Sequence, residues 1–123
     1  MAKTYDSNNI FAKILRGDIP CKKIYEDDTV LAFHDISPQA PSHILVLPKG
    51  AYVDMDDFTA KATDAEITGL FRALGNIARA AGLAEGGYRV ISNIGVDGGQ
   101  EVPHLHLHLV GGRKLGRMLQ PAE

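Results

Sequence analysis

The sequence has one cysteine, almost no net charge and no long hydrophobic run. Cys21 alone cannot form an internal disulfide, and residues 1–8 have no apolar stretch typical of a signal peptide, so we expect a cytoplasmic protein. Thirteen basic and 15 acidic residues leave a net charge of −2, which is too small to attract nucleic acid or an anionic membrane surface. We therefore expect neither nucleic acid nor membrane among its partners.

Length and composition favour one folded domain over residues 1–123. This length corresponds to about 0.8 of a typical domain. A hydrophobic fraction of 45% excludes a disordered chain. No apolar run approaches the roughly 20 residues that span a bilayer, and no repeat or low-complexity tract divides the sequence. We expect a soluble, globular protein.

Two helices are predicted. The first begins after Asn8 and Asn9, which are good N-cap residues, and ends near Gly17. The second begins with Thr63-Asp-Ala-Glu66, whose end side chains can each bond the other's free backbone amide, and it ends at Gly82. The apolar residues at helical spacing are Ile10, Phe11, Ile14 and Leu15 in the first helix, and Ile67, Leu70, Phe71, Leu74, Ile77, Ala78 and Ala81 in the second.

Five segments rich in strand-forming residues are predicted as strands. They are residues 22–25, 29–35, 43–48, 88–93 and 104–110. Residues 51–62, which include Asp54, Asp56 and Asp57, are the longest candidate loop. Because the helices interrupt the strand series rather than alternate with it, we expect an α+β fold with a five-stranded antiparallel sheet and two helices.

Three of the five histidines recur at intervals of two, at His104, His106 and His108. Random placement of five histidines would produce such a run in about 0.4% of shuffled chains. On a strand, the three imidazoles share one face, while the intervening leucines at 105, 107 and 109 form the other. The pattern therefore predicts a strand with one face in the core and the other in a functional site.

Two other interpretations of the histidine run are open. The imidazoles could be the solvent-facing half of an amphipathic strand, although Thr, Lys, Glu or Ser is more usual there. They could also bind a metal ion. The outer two are ~13 Å apart on a strand, too far for both to reach one ion. A pair could still serve, with Asp35 or Glu101 as a third ligand.

A row of imidazoles favours covalent catalysis. A neutral imidazole is a competent nucleophile at pH 7, and its flanking neighbours can stabilise charge on phosphate oxygens. The middle residue, His106, is best placed to attack. The preceding loop contains Gly95, Gly98 and Gly99, which allow backbone amides to approach an anion, although a flexible turn explains these glycines equally well.

Several motifs together resemble one family. His104-Leu-His-Leu-His-Leu-Val110 matches the histidine triad motif. The segment from Asp35 to His43, Asp97-Gly-Gly-Gln100 and Gly111-Gly-Arg113 resemble the nucleotide-binding phosphoramidase branch of the histidine triad (HIT) superfamily, in its bacterial form. The resemblance runs over about residues 10–113, with residues 114–123 as a C-terminal tail.

The resemblance implies a function and an assembly. It implies a homodimer in which one continuous sheet joins two protomers, each with a purine nucleotide site. It also implies hydrolysis of adenosine phosphoramidates and of acyl or aminoacyl adenylates to AMP, with no metal and no other cofactor. Three alternatives are open: a dinucleoside polyphosphate hydrolase of the fragile-histidine branch, a nucleotide-binding or protein-interaction module with incidental turnover, and a zinc-binding protein.

The resemblance also implies roles for individual residues. His106 is expected to attack the α-phosphorus and become a nucleotidyl-histidine. His43 and His108 would move protons and hold phosphate oxygens, while His104 would support the phosphate region and orient the nucleophile. The implied nucleotide contacts are Asn93 and the backbone amides of Gly99 and Glu101 for phosphate and ribose, Asp35 for the ribose hydroxyls, and Ile10, Phe11, Phe33 and Ile36 for the base.

This chain departs from the family pattern in two places. Glu101 stands where many relatives have a serine, so only its backbone amide can take the same role, and its carboxylate is expected to affect substrate choice. The tail over residues 114–123 lacks the aromatic ending of animal members. Because the tail lies near the partner's site in the family, this ending bears on leaving-group specificity.

Overall fold

The computed structural model, which describes residues 3–119, contains three helices and five strands in this part of the chain. In chain order they are α1 (Ile10–Leu15), β1 (Lys23–Glu26), β2 (Val30–His34), β3 (Ser42–Pro48), α2 (Met55–Lys61), α3 (Asp64–Ala80), β4 (Tyr88–Ile91) and β5 (Leu107–Gly111). The strands form one sheet in the order β1-β2-β3-β5-β4, and each neighbouring pair is antiparallel. The predicted antiparallel α+β fold is confirmed.

The sheet buries apolar side chains on both faces because successive residues of β2 and β3 point in opposite directions. One face packs against α2 and α3. We call the buried residues there the main core: Val30, Ala32, Ile44, Val46, Phe58, Leu70, Ala73, Leu74, Ile77, Ala78, Leu83, Leu105, Leu107 and Leu109. The other face packs against α1 through what we call the small cluster: Phe11, Leu31, Phe33, Leu45 and Leu47.

Helix α3 covers the main core and matches its predicted ends. Thr63 and Glu66 form the capping box, and Gly82 has a φ of +76° just after the helix. The buried face of the helix differs from the predicted apolar face, because Ala73 is buried and Phe71 is 47% exposed. Phe71 follows Leu70 directly and so lies about 100° round the helix from it.

Residues 51–62 are not the loop that the sequence suggested, because they contain α2, which raises the helix count from two to three. The Asp54 side chain accepts a hydrogen bond from the Asp57 amide at 2.8 Å and caps the helix. Phe58 is completely buried in the main core and ties this short helix to the sheet. The signal that was missed is the aspartate cap followed by an acidic first turn, a typical start of a helix.

All five strands differ from prediction by at least one residue, and the largest differences lie at the end of β4 and the start of β5. β4 ends at Ile91, before Asn93, and β5 begins only at Leu107. His104 and His106 therefore precede β5, and only His108 of the three lies in a strand. Within residues 3–119, no helix combines the length and the hydropathy needed to cross a membrane.

Candidate active site

The histidine run lies against the sheet and is largely buried. Leu105, Leu107 and Leu109 are 1% exposed or less and enter the main core, so the predicted alternation is confirmed even before β5 begins. His104 is 0% exposed and His106 is 8% exposed. The alternative of a solvent-facing strand is therefore wrong for these two imidazoles.

One hydrogen bond and two neighbouring rings fix the position of His106. Its Nδ1 is 2.7 Å from the backbone oxygen of His104. Because a carbonyl oxygen only accepts, His106 Nδ1 carries the hydrogen, and Nε2 keeps the lone pair when the ring is neutral. The ring centroid lies 4.8 Å from that of Phe11 and 5.0 Å from that of His108. This arrangement presents one ring nitrogen as a nucleophile.

The pKa of His106 reflects opposing influences. Burial lowers it, while the hydrogen bond to the His104 carbonyl and the negative charges of Asp35 and Glu101 act in the other direction. The direction of the shift is downward. His106 is therefore neutral at pH 7, in the protonation state that a nucleophilic imidazole requires.

His43 and His108 form a second hydrogen-bonded chain. The Gln39 amide donates to His43 Nδ1 at 3.1 Å, so a neutral His43 carries its hydrogen on Nε2. His43 Nε2 is 2.9 Å from His108 Nδ1, which therefore accepts and leaves His108 with a hydrogen on Nε2. Burial lowers the pKa of His108 to about 4, and the neighbouring imidazoles of His106 and His43 act in the same direction. The hydrogen-bonded pair of His43 and His108 therefore presents the neutral Nε2–H of His108 as a donor at the site.

His104 has both ring nitrogens bonded within the protein. Nε2 lies 2.8 Å from the Pro48 carbonyl oxygen, and Nδ1 lies 2.6 Å from the Tyr5 hydroxyl. Burial lowers the pKa of His104 to about 4. Its backbone carbonyl contacts His106, and Tyr5 is a contact that the sequence patterns did not identify.

Asp35 lies close to the pair of His43 and His108, and the three residues together are possible metal ligands. Ligand atoms of Asp35, His43 and His108 all lie within 4.8 Å of one another, and Asp35 Oδ2 is 3.4 Å from His43 Nε2. The sequence had left open two imidazoles of the histidine run with Asp35 as third ligand. In the structure His108 of that run meets Asp35 together with His43, which lies outside the run, and these three residues could hold a divalent ion. The same atoms already form the hydrogen bond between His43 and His108. The geometry therefore fits a hydrogen-bonded pair as well as a metal site.

The four residues expected around a base are divided between core and surface. Phe11 and Phe33 are 7% and 4% exposed, and their ring centroids are 5.7 Å apart in an edge-to-face arrangement. Ile10 is 43% exposed and Ile36 is 92% exposed. Phe11 thus joins the small cluster to His106, whereas Ile36 lies on the surface beside Asp35.

Gln100 anchors the glycine loop. Its Nε2 donates to the Val53 carbonyl at 2.7 Å, and its Oε1 accepts from the Gly95 amide at 3.2 Å. Gly95 and Gly99 have φ angles of +67° and +74°, which favour glycine. The Gly99 amide donates to the Val96 carbonyl at 3.1 Å, so contact with a phosphate would require it to exchange that partner. The carboxylate of Glu101 is exposed.

Asn93 shares a cavity with His43 and His108. The cavity has a volume of about 870 Å³ and is also lined by Arg89, Arg113 and residues of the tail up to Leu119. Arg89 Nη2 donates to the Gly116 carbonyl at 2.8 Å, which holds the tail against β4. The remainder of the predicted tail, residues 120–123, lies outside the described residues.

Known proteins resemble this chain over nearly its whole length. Residues 16–115 match the HIT domain. The chain is 70% identical over 119 residues to an uncharacterized 13.2 kDa HIT-like protein of Azospirillum brasilense, covering 97% of this chain and 98% of that protein. It is 48% identical over 110 residues to a purine nucleoside phosphoramidase of Escherichia coli strain K12, covering 89% and 92%.

Solved structures agree with the observed sheet and helices. A HIT family hydrolase from Clostridium thermocellum superposes with a TM-score of 0.83 at 38% identity, covering 91% of this chain and 97% of that one. A histidine triad protein from Clostridium difficile superposes with a TM-score of 0.80 at 44% identity, covering 95% and 98%. The similarity therefore extends from sequence to fold.

Proposed function

Because the chain belongs to the HIT domain family, we propose that it is a purine nucleoside phosphoramidase that releases AMP through a covalent intermediate on His106. Hydrolase activity is supported by the relatives' names, and the finer activity by the phosphoramidase of Escherichia coli. The observation that carries the mechanism is the 2.7 Å hydrogen bond from His106 Nδ1 to the His104 carbonyl. It leaves Nε2 as the free nucleophile.

The first proposed step forms the intermediate. The Nε2 lone pair of His106 bonds to the α-phosphorus of an adenosine phosphoramidate while the bond from phosphorus to the leaving nitrogen breaks. The leaving amine takes up one proton from solvent, and the His108 Nε2–H, held in place by His43, donates to a phosphate oxygen and assists the transfer. The Nδ1–H of His106 keeps its bond to the His104 carbonyl and stabilises the positive ring that forms.

The second step returns the enzyme to its starting state. Water bonds to the phosphorus, the bond to His106 Nε2 breaks, and AMP is released. The proton lost by the water returns to solvent, while the His108 Nε2–H keeps its hydrogen bond to a phosphate oxygen. Acyl and aminoacyl adenylates would react in the same way, with a carboxylate as the leaving group. Because His106 supplies the nucleophile and its neighbours supply the N–H donors, no metal is needed.

The nucleotide would be held by the residues around these imidazoles. Asp35 is proposed to accept from the ribose hydroxyls, and Asn93 and the amides of Gly99 and Glu101 to contact phosphate and ribose. The base would lie beside the buried rings of Phe11 and Phe33. The exposed side chains of Ile10 and Ile36 would close over it, since both have apolar surface that a purine could cover.

We also propose a homodimer that extends the sheet. β4 is an edge strand, and its residues Tyr88 and Val90 are 38% and 42% exposed. An exposed apolar edge strand favours pairing with a second chain. Light scattering after size exclusion tests this proposal. A monomeric mass at micromolar concentration would contradict the dimer. The cytoplasmic location stays a prediction.

The experiment for the activity is turnover of an adenosine phosphoramidate in the presence of a chelator, with quenched samples examined by intact mass. AMP release and an added adenylyl group located on His106 are expected. Tight AMP binding without turnover would favour a binding module instead. Activity restored only by zinc would assign the metal to Asp35, His43 and His108. Faster cleavage of a dinucleoside polyphosphate than of the phosphoramidate would favour the fragile-histidine activity.

A further inference from the structure

An N-terminal segment outside the matched HIT domain reaches the histidine run. The domain match begins at residue 16, whereas the Tyr5 hydroxyl lies 2.6 Å from His104 Nδ1. The Tyr5 ring meets the His104 ring edge to face, with centroids 5.6 Å apart. Lys3 forms an ion pair with Asp54, the buried N-cap of α2. The segment is therefore attached at two points to the folded domain.

We propose that Tyr5 is a positioning residue that holds His106 in its nucleophilic form by acting through His104. The inference rests on the proposed function, because it assigns a role within that reaction. Tyr5 is distinct from the residues proposed to touch the nucleotide. Its effect is on the ring and backbone of His104.

The hydrogen-bond roles follow from the partners. The Pro48 carbonyl only accepts, so His104 Nε2, at 2.8 Å from it, carries the hydrogen. A neutral His104 then has its lone pair on Nδ1, and the Tyr5 hydroxyl must donate to it. Both nitrogens of a completely buried ring are thus satisfied. Their partners come from β3 and from the N-terminal segment.

The backbone of His104 transmits this restraint. Its carbonyl oxygen accepts from His106 Nδ1 at 2.7 Å, and this bond decides which nitrogen of His106 keeps the lone pair. Without the Tyr5 hydroxyl, His104 Nδ1 is a buried acceptor with no partner, which is unfavourable. The ring then turns toward another donor and moves the carbonyl. Nucleophilic alignment is sensitive to such small displacements.

Tyr5→Phe tests the proposal because it keeps the ring and removes only the hydroxyl. We expect kcat for the phosphoramidate to fall roughly tenfold while KM stays within about twofold, since alignment is lost but the nucleotide contacts remain. The midpoint of thermal unfolding is expected to fall by roughly several degrees because the acceptor is left unpaired, so both constants are measured well below that midpoint. The matched control is Tyr25→Phe in the edge strand β1, which removes a hydroxyl bonded to Asp27 Oδ2 at 2.5 Å. It is expected to leave both constants unchanged.

Nitrogen NMR of the imidazole rings is the second measurement, and it does not depend on activity. In the native protein, His106 is expected to be protonated at Nδ1 and His104 at Nε2. In Tyr5→Phe, the His104 Nδ1 resonance should shift as it loses its donor, and the Nδ1–H form of His106 should lose population. An unchanged His106 tautomer would overturn the proposal, as would an unchanged kcat in an active enzyme. A native protein without phosphoramidase activity would contradict the proposed function, and the tautomer populations would still decide the role of Tyr5.

Discussion

The two faces of the sheet are built differently. The face under α2 and α3 is filled by aliphatic side chains and one phenylalanine, which need only shape and volume to pack. The face under α1 has five buried apolar residues and the imidazoles of His43, His106 and His108. Each of these imidazoles has a hydrogen-bond partner, because a buried polar group without one is costly. The first face therefore holds most of the apolar core, and the second holds the candidate active site.

The largest effect is expected from His106→Asn, on the face of the sheet that holds the imidazoles, which should change activity and leave stability unchanged. Hydrolysis should fall by at least about a thousandfold because the variant lacks the nucleophile. Its AMP affinity, measured by calorimetry, and its free energy of unfolding should stay close to the native values. Undiminished turnover would contradict the covalent mechanism.

Leu70→Ala tests the opposite face. Leu70 is completely buried in the main core, and its truncation should lower the free energy of unfolding by about 3 kcal/mol. The folded fraction should keep its kcat, since the substitution is across the sheet from the imidazoles. Phe71→Ala is the matched control, and its half-exposed ring should cost less than about 1 kcal/mol. Urea titration measures both. Equal losses of unfolding free energy in the two variants would contradict the assignment of Leu70 to the buried face of α3 and of Phe71 to its exposed face.

Acid should lower the free energy of unfolding through the buried imidazoles on the face of the sheet under α1. Burial lowers the pKa of His104 and His108 from 6.5 to about 4, so the unfolded chain binds more protons between these pH values. Stability from these neutral rings is complete above pH 6.5 and is lost as pH falls toward 4. The slope is at most about 1.4 kcal/mol per pH unit for each ring.

Urea titrations between pH 7 and 5 measure this slope. This range lies above 4.5, the ordinary pKa of a glutamate, but at its lower end carboxylates such as Glu66, whose pKa is lowered by the Thr63 amide and the Tyr52 hydroxyl, add their own pH dependence. His108→Asn should reduce the slope by at most about half, because it removes one of the three rings whose pKa is lowered, the others being His104 and His106. A stability that does not change over this range would show that the two imidazoles are not held neutral.

The smallest effect is expected from the cap of α3. Thr63→Ala removes the side chain that accepts from the Glu66 amide at 3.1 Å and should lower stability by about 1 kcal/mol. Activity should be unchanged because α3 and its cap lie on the face of the sheet opposite the imidazoles. Thr59→Ala serves as the control, since its hydroxyl bonds only the carbonyls of its own helix. A loss of kcat in Thr63→Ala would show that the two faces are coupled.

Local patterns in the sequence predicted what depends on neighbouring residues. The capping box placed the start of α3, and the alternation of histidine with leucine predicted which side chains enter the core. The pattern missed α2 because one aspartate cap and one buried phenylalanine determine that seven-residue helix. Propensity alone is weak over so short a length.

Contacts between distant residues could not be predicted from local patterns. The pairing of His43 with His108 depends on the register of β3 against β5, which sets Leu45 opposite His108. The contact of Tyr5 with His104 joins residues 99 positions apart. Such contacts have no periodic signal in the chain. The family resemblance supplied roles for the triad but none for Tyr5.

The strand order has a consequence for when the site forms during folding. β1, β2 and β3 can pair through short connections, whereas β3 and β5 must bring His43 and His108 together across 65 positions. Closing so long a loop is entropically costly and slow compared with local pairing. We therefore expect the imidazoles of the candidate site to be brought together late in folding. Hydrogen exchange at β5 reports when that pairing opens, and each opening separates the imidazoles and switches the site off.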